Sequence, residues 1–150
     1  MSPIYDLLRS NGSIVVNKCF IHGIGLKEAI IYSELLSKYD YFKNKGQLQG
    51  DGSFFNTIDD LFIDTGLGDR SQRTAIKSLV DLGLLATITR GIPPKRYFKI
   101  NFKDEAVLHY LKIGADKIAM KREDLKVKNT VSLGKLKIPA LADIKGCDSR

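Results

Sequence analysis

The sequence predicts an α+β fold that is mostly helical, and three observations support this prediction. Apolar residues recur at helical spacing in residues 26–39, 57–65 and 69–82. Residues 84–89 and 96–100 are rich in β-branched and aromatic side chains and flank a loop of Gly and Pro, as in a hairpin. The chain has 150 residues, 27% of them charged, which fits one domain of ordinary size with an appendage.

The N-terminal part is expected to add a strand and a helix. Residues 13–17 are β-branched at their centre, which predicts a short strand. Residues 26–39 interleave apolar and charged side chains, which predicts an amphipathic helix. An Asp-Gly pair at Asp51 marks a turn, and residues 53–56 are expected to form a further short strand.

Two short helices joined by a tight turn are predicted next. Thr57 can cap the first helix, and Asp60 lies three residues later, as in a capping box. Residues 65–68 contain two glycines and break this helix, Asp69 can cap the second helix, and Gly83 is placed to end it. The expected buried face of the second helix consists of Ala75, Ile76, Leu79, Val80 and Leu82.

Beyond Phe102 the pattern weakens. Residues 104–113 and 118–125 are candidate helices, and the lysine-rich segment from Lys126 onward is expected to be a poorly ordered tail or linker. The predicted organisation is therefore a domain of residues 1–102, followed by a C-terminal helix and basic tail in residues 103–150.

The order helix, helix, tight turn, helix and basic hairpin predicts a winged helix-turn-helix, a fold that binds double-stranded DNA. An α-helix with its side chains is about 10–12 Å wide and fits the major groove. The net charge is −2 in residues 1–65, +5 in residues 66–102 and +4 in residues 103–150. A basic excess that begins at the second helix of the pair indicates a polyanionic partner.

The predicted DNA contacts are the polar residues of the second helix that its buried face does not need, together with the cations of the hairpin. Arginine can recognise guanine, serine or threonine can contact bases or phosphates, and the hairpin cations can reach phosphate or the minor groove. These residues are Arg70, Ser71, Arg73, Thr74, Lys77, Arg90, Lys95 and Arg96. The aromatic residues Phe54, Phe55, Phe62, Tyr97 and Phe98 are expected to pack in the core and strands and not to stack on bases.

No catalytic residue, cofactor or metal site is expected, and the protein is not expected to be an enzyme. Asp59 and Asp60 are adjacent, so on a helix they point in different directions and suit a helix start better than a catalytic pair. Cys19 and His22 are too few for a zinc site. No basic and apolar leader and no apolar run near 18 residues is present, so a cytoplasmic protein without a membrane partner is expected.

Four segments carry a family resemblance: Phe-Phe-Asn-Thr-Ile-Asp-Asp-Leu at 54–61, Thr-Gly-Leu-Gly at 65–68, Ala-Ile-Lys-Ser-Leu-Val-Asp-Leu-Gly-Leu-Leu at 75–85 and Gly-Ile-Pro-Pro-Lys-Arg-Tyr-Phe-Lys-Ile at 91–100. They resemble the N-terminal winged-helix domain of replication initiator or replisome-organiser proteins from phages and plasmids of Gram-positive bacteria. Val-Val-Asn-Lys at 15–18 and Gly-Leu-Lys-Glu-Ala-Ile-Ile-Tyr at 25–32 also resemble that family's first strand and helix, so the resemblance covers about residues 13–102. It implies sequence-specific binding at an origin and recruitment of replication partners through a region beyond the winged helix.

The leading functional prediction is therefore a sequence-specific double-stranded DNA-binding protein in phage or plasmid replication. Two alternatives stay open: a winged-helix transcriptional regulator, and a winged-helix module that docks a replisome protein. Besides DNA, replication proteins and a second copy of the chain are left open as partners.

Overall fold

The computed structural model describes residues 2–132. Within these residues the chain is α+β and mostly helical, which confirms the predicted class. The elements in chain order are α1 (Pro3–Leu8), α2 (Lys18–Ile24), α3 (Leu26–Asn44), β1 (Phe54–Phe55), α4 (Ile58–Thr65), α5 (Asp69–Asp81), β2 (Leu85–Arg90), β3 (Lys95–Ile100) and α6 (Asp104–Ser132).

The chain divides into two compact units. Among the described residues, the first comprises residues 2–16 and Lys27–Asn101, and the second comprises Asn17–Leu26 and residues 102–132. The second unit thus joins α2 to α6, although these helices lie far apart in sequence. The domain boundary expected at residue 102 stays a prediction.

The first unit contains a three-stranded antiparallel sheet in the order β1-β3-β2. Phe98 of β3 lies opposite Phe54 of β1, and both side chains are fully buried, with ring centroids 6.3 Å apart. The ring centroid of Phe42 in α3 lies 5.8 Å from that of Phe54, so α3 covers this side of the sheet. Because side chains alternate along a strand, Lys95, Tyr97 and Lys99 of β3 lie on the opposite, outer face.

The connection between α4 and α5 follows the local signals in the sequence. The predicted capping box is confirmed, since the Asp60 amide donates to Thr57 Oγ1 at 3.0 Å and the Thr57 amide donates to Asp60 Oδ2 at 3.2 Å. Gly66 ends α4 with φ +76°, a left-handed conformation that glycine adopts without strain. The turn therefore places α5 directly after α4, as the sequence predicts.

The buried face of α5 differs from the expected one. Ala75, Ile76 and Leu79 are buried as predicted, but Val80 is 39% exposed, and Leu82 is the half-buried residue that follows the helix. Gln72 is fully buried instead, one turn before Ile76. Its Nε2 donates to the carbonyl of Ile58 at 3.0 Å and to that of Leu67 at 2.8 Å. One buried amide thus joins α4, the turn and α5.

Residues 13–17 form no strand, so that prediction was wrong. Val15 is 88% exposed, and a β-branched segment becomes a strand only where a neighbouring strand accepts its hydrogen bonds. Asn17 instead starts α2, because its Oδ1 accepts from the amides of Cys19 at 2.8 Å and Phe20 at 3.2 Å. Neither α2 nor α1 is among the predicted helices.

The second unit contains one long helix where two candidate helices were predicted. The helix α6 continues through residues 114–117, and it extends beyond Lys126, where a tail was expected. Residues 133–150 of that expected tail lie outside the described residues. Gly114 is buried within α6, where an added Cβ would overlap the carbonyl oxygen of Cys19 in α2. The glycine therefore marks a close crossing of two helices and not a helix end.

Candidate nucleic-acid interface

The helix α5 separates its apolar and cationic residues onto opposite sides. Gln72, Ala75, Ile76 and Leu79 face the core of the first unit. The exposed side carries four of the predicted contact residues, spaced by three or four positions so that they lie on one face. These are Arg70, Arg73, Thr74 and Lys77.

Two of these cations are paired with carboxylates on the same helix. Arg73 Nε lies 2.8 Å from Asp69 Oδ1, and Lys77 Nζ lies 3.6 Å from Asp81 Oδ2. All four side chains are at least half exposed, so each ion pair contributes only about 0.3–0.5 kcal/mol to stability. Each cation can therefore exchange its carboxylate partner for another anion. The Arg70 side chain forms no ion pair within the described residues.

The start of α5 differs from the expected one. Gly68 is the residue that precedes the helix, and no side chain caps it, so the expected cap at Asp69 was wrong. Asp69 is the first residue of the helix, and its carboxylate binds Arg73. Its negative charge thus lies at the amino end of the cationic face, beside the residue that it partly neutralises.

The two hydroxyl residues of the predicted set are already hydrogen-bonded. Ser71 is half-buried, and its Oγ accepts from Lys27 Nζ of α3 at 3.4 Å. The exposed Thr74 hydroxyl donates to the carbonyl of Arg70 at 3.0 Å and retains acceptor capacity. Thr74 is therefore better placed than Ser71 to contact a ligand on the exposed side of α5.

Arg90, at the end of β2, is held in place by residues that precede β1. Its guanidinium forms an ion pair with Asp51, donates to Ser53 Oγ at 3.3 Å and lies 5.5 Å from the centre of the Tyr97 ring. Hydrogen bonds from Ser53 and Arg90 hold the pKa of Asp51 well below its usual range. This network fixes Arg90 on the outer face of the sheet.

Lys95 and Arg96 are neighbours in sequence and lie on different faces of the sheet. Lys95 is exposed, with Nζ 5.3 Å from the centre of the Phe55 ring. Arg96 is half-buried, with its guanidinium 4.6 Å from the Phe98 ring centre. Burial lowers the pKa of Arg96. The negative charge of Asp69 acts to raise this pKa, and the positive charge of Arg73 acts to lower it further. Arg96 thus lies near the start of α5.

The predicted aromatic core is confirmed in part. Phe54 and Phe98 are fully buried, but Phe62 is 53% exposed on α4, so its expected packing was wrong. Phe55 is 38% exposed and pairs with the half-buried Tyr97 across the outer face of the sheet, with ring centroids 5.8 Å apart. These two rings pack on each other as strand neighbours and not in the core.

Gln72 and Asp51 are structurally important residues that the sequence interpretation did not single out. Gln72 precedes Ala75, Ile76 and Leu79 at helical spacing, so periodicity alone could have placed it on the buried face. Asp51 was recognised only as part of a turn. No local signal links it to Arg90, which lies 39 residues later.

Within residues 2–132, no group of three or more His, Cys, Asp or Glu side chains is arranged to hold a metal ion. None of the described helices combines the length and apolarity needed to cross a membrane. The roles of all eight predicted contact residues in binding stay predictions.

The chain has a weak structural likeness to a known protein. No protein-family model matches the chain, and no curated protein sequence matches it. One solved structure, described as the N-terminal domain of DNA binding protein, is similar to this chain at 16% sequence identity and a TM-score of 0.49. The similarity covers 77% of this chain and 95% of that chain.

Proposed function

We propose that the first unit is a winged helix-turn-helix that binds double-stranded DNA, with α5 in the major groove and the β2–β3 hairpin as the wing. The observation that carries this proposal is the exposed side of α5. It presents Arg70, Arg73, Thr74 and Lys77 on one face, while its other side is fixed in the core by Leu79 and Gln72. A rigid cationic helix face suits a groove lined by base edges and phosphates.

The contacts have different expected roles. Arg70 has no carboxylate partner among residues 2–132 and can reach a guanine edge or a phosphate directly, whereas Arg73 and Lys77 must first leave Asp69 and Asp81. Lys95, near the hairpin tip, is exposed and can contact phosphate. Arg90 and Arg96 support the hairpin through their contacts with Asp51 and Phe98. The proposal is a binding function and includes no catalytic step.

The test is duplex binding measured by fluorescence anisotropy, after selection of bound sequences from a random pool. Arg70→Ala should weaken binding to the selected sequence by ~1–3 kcal/mol and relax the preference for one base pair. Lys95→Ala should weaken binding to all sequences about equally. Lys43→Ala is the matched control, because it removes an exposed cation from α3 in the same unit. The proposal fails if no duplex is bound at low salt, or if Arg70→Ala binds as tightly as Lys43→Ala.

The resemblance to replication initiators supports a narrower proposal, namely binding at an origin of phage or plasmid replication. The selected sequences test it. A repeated, origin-like site favours initiation, whereas a palindrome with half-sites about one helical turn apart favours a dimeric transcriptional regulator. If no sequence is enriched, the module that docks a replisome protein becomes the better explanation.

A further inference from the structure

The outer face of the sheet carries a row of two aromatic rings and one aliphatic side chain that the proposed duplex contact does not use. Phe55 of β1 lies opposite Tyr97 of β3, which in turn lies opposite Ile88 of β2. These three residues form one row across the sheet, with neighbouring strands about 4.8 Å apart. The three strands alone form this row, and the Phe55 side chain is 38% exposed.

Cations surround this row. Arg90 and Lys95 form a cross-strand pair on one side of Tyr97, and Lys99 lies two residues beyond Tyr97 on the other side. Lys95 and Lys99 are four residues apart on β3, a separation of about 13 Å. On the outer face the three strands present three cationic residues, Arg90, Lys95 and Lys99, and no acidic residue. The face therefore complements a ligand that offers both flat apolar groups and negative charges.

We propose that this outer face binds single-stranded nucleic acid, with bases stacked on Phe55 and on the layered pair of Tyr97 and Arg90, and phosphates paired with Lys95 and Lys99. Unpaired bases have accessible flat faces, and their stacking on aromatic side chains together with cation contacts to the backbone is a common mode of single-strand binding. A duplex cannot bind in this way, because its bases are stacked inside the helix. The inference is thus independent of the major-groove contact by α5.

The side chains that now cover the two rings differ in how easily they move. Lys95 is a flexible chain lying over Phe55, so an incoming base can displace it and free its ammonium for a phosphate. Arg90 is held over Tyr97 by Asp51 and Ser53, so its planar guanidinium stays in place. A base can stack on a guanidinium as well as on a ring, so Arg90 extends the stacking surface.

The test uses a labelled thymidine homopolymer of about 12 nucleotides, a length within the range that a single small domain binds. Tyr97→Leu retains an apolar side chain in β3 but removes the ring, and it should weaken binding at least about fivefold. Tyr41→Leu is the matched control, because Tyr41 is an exposed tyrosine on α3 with Lys45 Nζ 5.7 Å from its ring centre. Both variants should bind duplex as the unaltered chain does.

A second readout does not depend on the tolerance of the fold to Tyr97→Leu. The chain contains no tryptophan, so Tyr97→Trp introduces a single fluorophore at the centre of the row. Its emission should be quenched when the homopolymer binds, and the emission of Tyr41→Trp should not be.

Absence of homopolymer binding at low salt overturns this inference, as does equal quenching in the two tryptophan variants. Equal affinity of the folded Tyr97→Leu and Tyr41→Leu variants overturns it as well. A chain that binds the homopolymer but no duplex refutes the proposed function and leaves this inference standing, and the reverse pattern does the opposite.

Discussion

Because α2 and α6 cross closely at Gly114, we expect Gly114→Ala to destabilise the folded protein, although helix propensity alone predicts that it stabilises it. Alanine is favoured over glycine in a helix interior by about 1 kcal/mol, so propensity alone predicts a more stable protein. At Gly114, however, the new Cβ would overlap the Cys19 carbonyl oxygen and lie 2.6 Å from its carbon and 2.9 Å from the amide nitrogen of Gly23.

The magnitude follows from these distances. Carbon atoms in contact are at least about 3.5 Å apart, and the Cys19 oxygen is nearer still, so the two helices must separate by at least about 1 Å at the crossing. All three neighbouring atoms belong to the backbone and cannot rotate away as a side chain can. Overpacking of this kind costs about 1–3 kcal/mol. Because the overlap is with rigid backbone, the upper end of this range applies. Subtracting the helix-propensity gain of about 1 kcal/mol leaves a net loss of about 2 kcal/mol, which lowers the Tm of a chain of this length by about 4–8 °C.

Thermal and urea unfolding followed by circular dichroism measure this effect. Gly23→Ala should be less harmful. Its Cβ would also overlap a carbonyl oxygen, that of Tyr110, but would lie 3.0 Å from the Tyr110 carbonyl carbon and 3.5 Å from the Gly114 amide nitrogen, both longer than the matching distances at Gly114. Gly50→Ala is the control, since nothing lies within 4 Å of the added atom. A Gly114→Ala variant with an unchanged or higher Tm would show that the two helices do not cross at this distance.

Three other predictions follow from single contacts. Asp69→Asn should raise duplex affinity severalfold in an anisotropy titration, because it releases Arg73 and removes an anion from the proposed interface; weaker binding would argue against this interface. Gln72→Leu should destabilise the chain by about 2 kcal/mol in urea unfolding, through loss of two buried hydrogen bonds, whereas the exposed Gln47→Leu should have little effect. Because the folded-state pKa of Asp51 is depressed, its stabilising contribution is present above the unfolded pKa of about 3.9 and is lost as the pH falls below it. The Tm difference between Asp51→Asn and the unaltered chain should therefore shrink progressively as the pH falls below about 4, and a difference independent of pH would contradict the assigned network.

The elements predicted correctly from the sequence are those specified by neighbouring residues. The capping box of Thr57 and Asp60, the glycine that ends α4 and the Gly-Pro loop of the hairpin act over a few positions, so α4, α5, β2 and β3 were located to within about one residue at most ends. The amphipathic pattern likewise located most of the buried face of α5.

The errors arise where distant residues decide the structure. Residues 13–17 have strand-forming side chains but no partner strand, and Gly114 lies within a helix because α2 crosses there. The predicted contact set shows the same division. The exposed face of α5 follows from periodicity, but the contacts of Arg90 with Asp51 and of Arg96 with Phe98 depend on strand pairing that no local pattern specifies.

The Asp51–Arg90 ion pair also affects how the edge of the sheet opens. The edge strand β1 is only two residues long, and it pairs with β3 alone. Arg90 belongs to β2, on the far side of β3, so its contact with Asp51 spans the central strand and tethers the segment that enters β1. Acid or high salt weakens this tether and leaves the backbone ladder between β2 and β3 intact. The amides of β1 therefore exchange with solvent through a local opening that is sensitive to salt and pH, separately from unfolding of the remaining sheet.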